Sequence, residues 1–401
     1  MAGSASLSGE TVTEQTAMTY TAVWNAVSLI SGTVSTLPLH LYQSKNGNRK
    51  EIARKNSLYR LLHDEANPYQ SAMAFRETLM AHVLTWGNGY AEIVRDGFGK
   101  VVELWPITPN RIKAEWRENG IFYSVSVDGQ QVYLPKYKVL HIAGLGFDGF
   151  QGYSPIGMAR KTIGLGMALE TFGALYFGQG THVGRVISHP GHLDDRAMSN
   201  LKAAFSNTSE GLAKAHKLMV LEEGMKLEKI GIPPEDSQFL ESRQFQIPEI
   251  ARLFNLPPHK LKDLSRSSFN NIESEQISFV TDSILPWIVR LEQAMNMQLL
   301  TKTEKEVQNL YFKHVVEGLL RGDAKSRGEF YRAMFGIGAM SQNEIRSKED
   351  LDPIKNGDEY YVPLNMVPSS MVKEILTKNV EKNVKIGEKS NADTEQKPIP
   401  E

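Results

Sequence analysis

Between Pro257 and Glu275 runs PPHKLKDLSRSSFNNIESE, in which Lys260, Lys262 and Arg266 alternate with Ser265, Ser267, Ser268, Asn270 and Asn271. Cationic side chains neutralise phosphates, and short hydroxyl and amide groups hydrogen-bond phosphate oxygens, so this set suits transient contact with a nucleic-acid backbone. From Pro257 to Asn271 the three cations face one acid, Asp263, a local charge of +2 with His259 neutral. Three acids, Glu273, Glu275 and Asp282, follow at once. The bland reading of such a stretch is a solvated turn. Phe269 is expected to anchor it to a neighbouring helix rather than touch DNA.

Catalytic patterns are weaker. Gly97-Phe98-Gly99-Lys100 lacks the upstream glycine of a phosphate-binding loop and reads as a hairpin turn. Ser154 lacks the GxSxG spacing and has no assignable His or Asp partner. His189, His192, Asp194 and Asp195 are the one imaginable metal set, but Pro190-Gly191 marks a turn and the acids a helix start. The expectation is no catalytic residue, no metal and no cofactor, with a soluble hydrolase as the weaker alternative.

The basic stretch needs a frame. Ile277, Val280, Ile284, Ile288, Leu291, Met295 and Leu299 recur at steps of three and four, the signature of a long amphipathic helix. Asn271 or Ser274 can cap it, and Pro286 should bend it. On the other side Gln238 to Phe254 is helical in spacing, interrupted at Pro248 and closed by Pro257-Pro258. A third helix, Pro155 to Gly180, repeats glycine every seven residues at Gly157 and Gly164 and again at Gly166, Gly173 and Gly180. A bare stripe of that kind lets another helix approach closely, as copies around a ring would. The rival is a membrane span, since Glu170 is the only charge from Thr162 to Gly180. The Gly, Thr and Gln content, the Arg160-Lys161 head and a mean hydropathy of −0.33 argue against it.

The chain has 401 residues, 41% hydrophobic and 23% charged, enough for two or three domains. Having no cysteine, it has no disulfides or thiolate metal sites, and a net charge of −1 lacks the basic excess of a tight nucleic-acid binder. Residues 1–24 read as a flexible arm with no apolar signal core, running into a helix from Ala22 to Leu37. Helices are expected over Asn56–Asp64 and Ala72–Leu84. Strands are expected over Gly89–Arg95, Val101–Trp105, Ile112–Trp116, Phe122–Val127 and Val139–Ile142, giving a mixed α+β platform. A small insert follows, with a strand Gly184–Ser188, a helix Asp194–Phe205 and a hairpin of Leu218–Leu221 with Lys226–Ile230. Further on come a strand Gln308–His314, a helix Asp323–Phe335, and a helix Ser341–Lys348 with Ser341 and Glu344 as a capping box. From Lys373 six lysines balance six acids with few large apolar residues, so the tail reads as disordered.

Thr21-Ala22-Val23, Leu37-Pro38-Leu39, His63 to Pro68, Trp86-Gly87-Asn88-Gly89-Tyr90-Ala91, Leu104-Trp105-Pro106-Ile107 and Asp148 to Ile156 resemble successive signatures of HK97-type tailed-phage portal proteins. The likeness continues through Glu249 to Phe254, Pro257-Pro258 and Ser268 to Glu273, in order and at similar spacing.

The resemblance implies a ring-forming portal fold, usually of twelve subunits, at one capsid vertex of the virion. Through it double-stranded DNA is packaged and later ejected, with no ATP hydrolysis by the portal itself. Partners implied are the large terminase, the head-to-tail connector that replaces it, and the major capsid protein, with assembly in the bacterial host cytoplasm and no membrane contact. Carried onto this chain, residues 25–150 form a wing, 151–182 a stem helix, 183–235 a small α/β clip and 236–256 a second stem helix. Residues 257–275 become the tunnel loop, 276–322 a long bent helix with a return to the wing, 323–372 a short crown and 373–401 a tail without counterpart. Pro248 departs from an uninterrupted stem.

Overall fold

The computed structural model of the chain describes residues 6–45, 49–118, 120–178, 185–188, 196, 198–199, 226–229, 236–263, 272–320, 324–349 and 351–361. The chain divides into two compact units, Met1–Leu320 and Arg321–Glu401.

The first unit opens with a 3-10 turn, Thr16–Thr19, then α1 (Thr21–Thr36), β1 (Leu39–Lys45), β2 (Arg49–Ile52), α2 (Ser57–His63), β3 (Glu65–Asn67), β4 (Gln70–Ser71) and α3 (Ala72–Trp86). Strands β5 (Asn88–Arg95), β6 (Val101–Ile107), β7 (Ile112–Arg117), β8 (Gly120–Val127), β9 (Gln130–Pro135) and β10 (Val139–Ala143) follow. Next come α4 (Pro155–Met158), α5 (Arg160–Gly178), β11 (Arg185–Ser188), β12 (Lys226–Lys229) and α6 (Asp236–Leu253). A 3-10 turn (Pro258–Leu261), α7 (Ile272–Ser278), a π turn (Phe279–Ile284), α8 (Leu285–Gln298), α9 (Lys302–Glu306), β13 (Leu310–His314) and α10 (Glu317–Leu320) complete it.

Three three-stranded sheets run β13-β1-β2, β10-β5-β6 and β7-β8-β9. In the first, Leu41 lies opposite Phe312 and Tyr42 opposite Tyr311, joining segments far apart in the sequence. Two-stranded pairs β3-β4 and β11-β12 complete the pairing among the described residues. Between the expected strands of the insert, Lys226–Lys229 pairs with Arg185–Ser188. Residues 218–221 and most of 194–205 lie outside the described residues.

One core joins α1, α3 and the long helix. Val23, Ala26, Val27, Ile30 and Val34 recur at helical spacing on α1 and meet Phe75, Leu79, Met80 and Val83 of α3. Each fully buried Leu, Ile or Phe contributes about 1.5–3 kcal/mol. Val280, Ile284, Ile288, Leu291, Met295 and Leu299 form the expected apolar face of the long helix, but Ile277, expected at its start, is exposed, and Trp287 packs against this core half-buried. A smaller cluster of Tyr90, Tyr123, Val125 and Val139 seals the three-stranded β7-β8-β9 sheet to its neighbour. Arg76 lies buried in the main core, where its guanidinium donates to Leu37 O at 2.8 Å and so caps the C-terminal end of α1. Desolvation pulls its pKa down to about 10, still charged at neutral pH.

The N-terminal stretch is not the free arm expected up to residue 24. Val12, Ala17, Tyr20 and Val23 are buried. Thr13 N donates to Thr16 Oγ1 at 2.8 Å and Thr16 N to Thr13 Oγ1 at 3.0 Å, a reciprocal turn that carries Val12 and Ala17 into the core. Helix α6 continues through Pro248 without a break.

In the second unit, α11 (Ala324–Gly336) precedes α12 (Gln342–Lys348). Ser341 Oγ accepts from Glu344 N, and Glu344 Oε2 accepts from Ser341 N at 2.8 Å, the capping box expected there. Asn343 holds residues 354–358 by donating to Ile354 O and Asp358 Oδ1, each at 3.0 Å. The tail from Lys373 lies outside the described residues.

Candidate nucleic-acid interface

Helix α6 delivers the chain to the basic stretch through a defined stop. Asn255 takes φ 53°, its N–H donates to Arg252 O at 3.2 Å, and Leu256 N donates to Ala251 O at 2.8 Å. This is a Schellman ending, in which a left-handed residue satisfies the last carbonyls, and Pro257-Pro258 forbids a further turn. The following 3-10 turn ends likewise at Lys262, φ 65°, with Leu261 buried in the core.

Two side chains then clamp the entry of the stretch to its exit. Lys260 Nζ donates to Gln276 Oε1 at 2.5 Å and stands 4.7 Å from the centre of the Phe279 ring. His259 Nδ1 lies 2.5 Å from Glu275 Oε2. Burial, and after it Lys262, holds Lys260 below the ordinary lysine range. Burial also lowers His259, against the opposing pull of Glu275. Lys260, expected as a phosphate contact, is thus spent on the base of the loop, whereas Lys262 is exposed. Ser265, Arg266, Ser267, Ser268, Asn270 and Asn271, and Phe269 with them, lie outside the described residues.

The expected bend at Pro286 is resolved one turn upstream as the π turn Phe279–Ile284. Proline has no N–H, so the carbonyl of Asp282 loses its α-helical partner. Asn255 Nδ2 supplies the substitute at 2.8 Å, and Ser283 Oγ donates back to Asn255 O. One asparagine therefore ends α6 and satisfies the kink. Asn255→Ala should lower stability by about 1–3 kcal/mol through left-handed strain and an unsatisfied carbonyl, while Asn255→Gly should lose only the amide bond. Thermal unfolding of the two variants separates these terms, and equal losses would refute the strain contribution.

The glycine-rich helix α5 is occupied within its own chain. A Cβ at Gly164 would stand 2.5 Å from Ser6 Oγ, and one at Gly166 would stand 2.7 Å from the Tyr20 ring. Gly157 lies over Ser154, Gly173 is buried, and Gly180 is outside the described residues. Glu10 accepts from Thr171 Oγ1 at 2.9 Å, so the N-terminal segment straps this face. Across α5 and α6, Arg243 pairs with Glu170 at 3.8 Å. The expected single helix from Pro155 is broken at Ala159 into α4 and α5; on α5 Leu165, Phe172 and Leu175 are exposed apolar side chains, and Met158 is exposed at the end of α4.

Ser154 is engaged as a helix cap. Its Oγ accepts from Gly157 N at 2.9 Å, with Thr85 O at 2.8 Å and Glu14 Oε1 at 2.9 Å as acceptors for its proton. No group of metal-ligating side chains occurs among the described residues; His189 and His192 lie outside them. Among the described residues no helix is long and apolar enough to cross a membrane. Gly97-Phe98-Gly99-Lys100 forms the β5–β6 turn, where Asp96 Oδ1 accepts from Phe98 N and Lys100 N at 2.9 Å.

Sequence reasoning missed Asn255, Gln276 and Phe279 as parts of this site. The signal for Asn255 was present: an Asn just past a helix and ahead of two prolines is a left-handed stop.

The model of the family "Phage portal protein" matches residues 21–350. The probable portal protein of Streptomyces phage phiC31 is 33% identical over 382 residues, covering 91% of this chain and 82% of the relative. The portal protein of Enterobacteria phage HK97 is 31% identical over 367 residues, covering 89% and 86%. A chain in the neck of a native gene transfer agent particle, computed with C12 symmetry, shares the fold with a TM-score of 0.55 at 21% identity, covering 83% of this chain and 91% of that one. A family match over residues 21–350, together with relatives above 30% identity along most of their length, establishes that this chain belongs to the phage portal protein family.

Proposed function

We propose that copies of this chain close into a ring, twelve in the particle, around a channel that passes double-stranded DNA during packaging and ejection. The observation that carries this reading is the pair of contacts Lys260–Gln276 and His259–Glu275, which tie the residues entering the basic stretch to those leaving it. Lys262 and Arg266 make the phosphate contacts, with Ser265, Ser267, Ser268, Asn270 and Asn271 as weaker donors, while Lys260 keeps the base shut. Ring symmetry multiplies every such side chain by the number of copies, so a weakly basic loop suffices.

Residues 183–235 meet the large terminase and then the head-to-tail connector, and residues 25–150 face the major capsid protein. The chain acts at the capsid vertex after assembly in the host cytoplasm. Neutralising Lys262 and Arg266 to Gln should reduce packaged or retained DNA while rings still form. Lys260→Gln should instead lower thermal stability. Full DNA content in particles carrying the double substitution would remove these side chains from the mechanism.

The ring wall follows from α5. Its Gly164 and Gly166 are covered by the chain's own N-terminal strap, so the neighbouring copy packs on the exposed Leu165, Phe172 and Leu175. A cyclic assembly joins two different surfaces of each copy, and an exposed apolar helix face is one such half. Leu165→Glu with Phe172→Glu should convert rings into folded monomers by native mass spectrometry. Intact rings in that variant would place the contact elsewhere.

A further inference from the structure

The segment Lys45–Lys55 holds five cations and one acid in a chain whose net charge is −1. Its acid, Glu51, is paired with Lys45 at 2.7 Å. Lys50, Arg54 and Lys55 have no acidic partner within ion-pair distance among the described residues.

Lys50 and Arg54 border a row of rings. On β1, Tyr42 stacks on Tyr311 of β13 with centres 5.8 Å apart, and His40 lies 5.8 Å from Tyr42. His40 stacks on Tyr59 at 6.0 Å, and Tyr59 on His63 at 4.8 Å. The row is fixed by register, since Tyr42 lies opposite Ile52 on one side and Tyr311 on the other, and His40 lies opposite Lys313. Lys50 Nζ stands 5.1 Å over the Tyr42 ring. Asp64 closes the far end by pairing with His63 at 2.7 Å. The positive field registers on His40, whose pKa is lowered by burial first and then by His63 and Arg54.

We propose that this face, with Lys50, Arg54 and Lys55 as phosphate ligands over the Tyr42–Tyr311 floor, is a second contact for the backbone of duplex DNA, carried on elements other than the 257–275 loop. That the polyanion is DNA rests on the portal reading. Exposed Lys50, Arg54 and Lys55 with half-buried Tyr42 and Tyr311 offer charge and donors, which is what phosphates need.

The test is binding of a 30-base-pair duplex to the full-length assembly across a salt series, in a Lys262→Gln, Arg266→Gln background that silences the loop. Adding Lys50→Gln, Arg54→Gln and Lys55→Gln should weaken binding about ten-fold or more. The slope of log K against log salt should flatten by about 0.9 for each phosphate no longer neutralised. An unchanged slope, whether because the lysines only guard the β2 edge or because they bind an acidic protein, overturns the proposal, as does absence of duplex binding by the loop-silenced protein at low salt. Electron microscopy of the wild-type protein separates the two failures: rings with an unchanged slope sink this DNA-binding face alone, and no rings sink the portal reading.

Discussion

One methyl group at Gly152 is expected to destabilise the protein by more than about 3 kcal/mol, among the largest effects a single small substitution produces. Gly87 ends α3 with φ 80°, and its carbonyl accepts from Gly144 N at 2.8 Å. Asn88 then grips the returning chain, donating through Nδ2 to Gly152 O at 2.7 Å and accepting through Oδ1 from Gly152 N at 2.9 Å. A Cβ at Gly152 would overlap Gly87 O and stand 2.7 Å from Gly144 N, all backbone atoms that no rotamer change can move. Relief requires breaking the Asn88 pair and leaving its amide unsatisfied. Gly152→Ala should therefore lower the thermal midpoint by about 5 °C or more. Gly97→Ala is the control, because nothing lies within 4 Å of a Cβ there, and its midpoint should stay near wild type. Similar midpoints for the two variants would refute the packing argument.

The same knot shows what the sequence could and could not convey. Trp86-Gly87-Asn88-Gly89 and Asp148 to Ile156 are legible as ordered family signatures, but their mutual contact is not, because 64 residues separate Asn88 from Gly152. Local signals read well where chemistry is local. Helices α1, α2 and α3 lie within two residues of expectation, Asn56 caps α2 by accepting from Leu58 N, and the Ser341 box is present. The equivalent Thr301–Glu304 box escaped notice although it carries the same spacing. Strand β1 escaped too, despite the alternation in Leu39-His40-Leu41-Tyr42, since its partner β13 lies some 270 positions away. The α5 glycines read as a close-approach face, and the approach is real for Gly164 and Gly166. Nothing in the helix itself tells that Ser6, Ser8 and Tyr20 make it. For the basic loop the cations are legible, while the division of labour between Lys260 and Lys262 depends on Gln276 and Phe279, supplied by the next helix.

Acidification from pH 7 to pH 5 should destabilise the fold through its buried histidines, with an effect comparable to that at Gly152. Burial lowers His82 and His141 to about 4 each, and for His141 burial outweighs the opposing pull of Asp148. His141 is held neutral by its neighbours: Tyr90 stacks on it at 4.4 Å, Asn88 Oδ1 lies 3.0 Å from Nε2 and Tyr123 Oη 3.2 Å from Nδ1. Both folded values lie below the unfolded value of about 6.5, so below that pH the unfolded chain binds protons more readily than the folded one. Stability is then complete above about pH 6.5, falls as pH drops, and levels off near pH 4 where both states are protonated. At pH 5 each histidine accounts for about 2 kcal/mol of lost stability. His314 adds to the same direction, its pKa lowered by burial despite Glu292. Denaturant unfolding at pH 7, 6 and 5 measures the slope, and His82→Gln should reduce it by roughly one proton's share because the titrating group is gone. A slope unchanged by His82→Gln would mean that His82 is not the buried neutral group its surroundings require, and a flat profile in the wild type would mean that water reaches both rings.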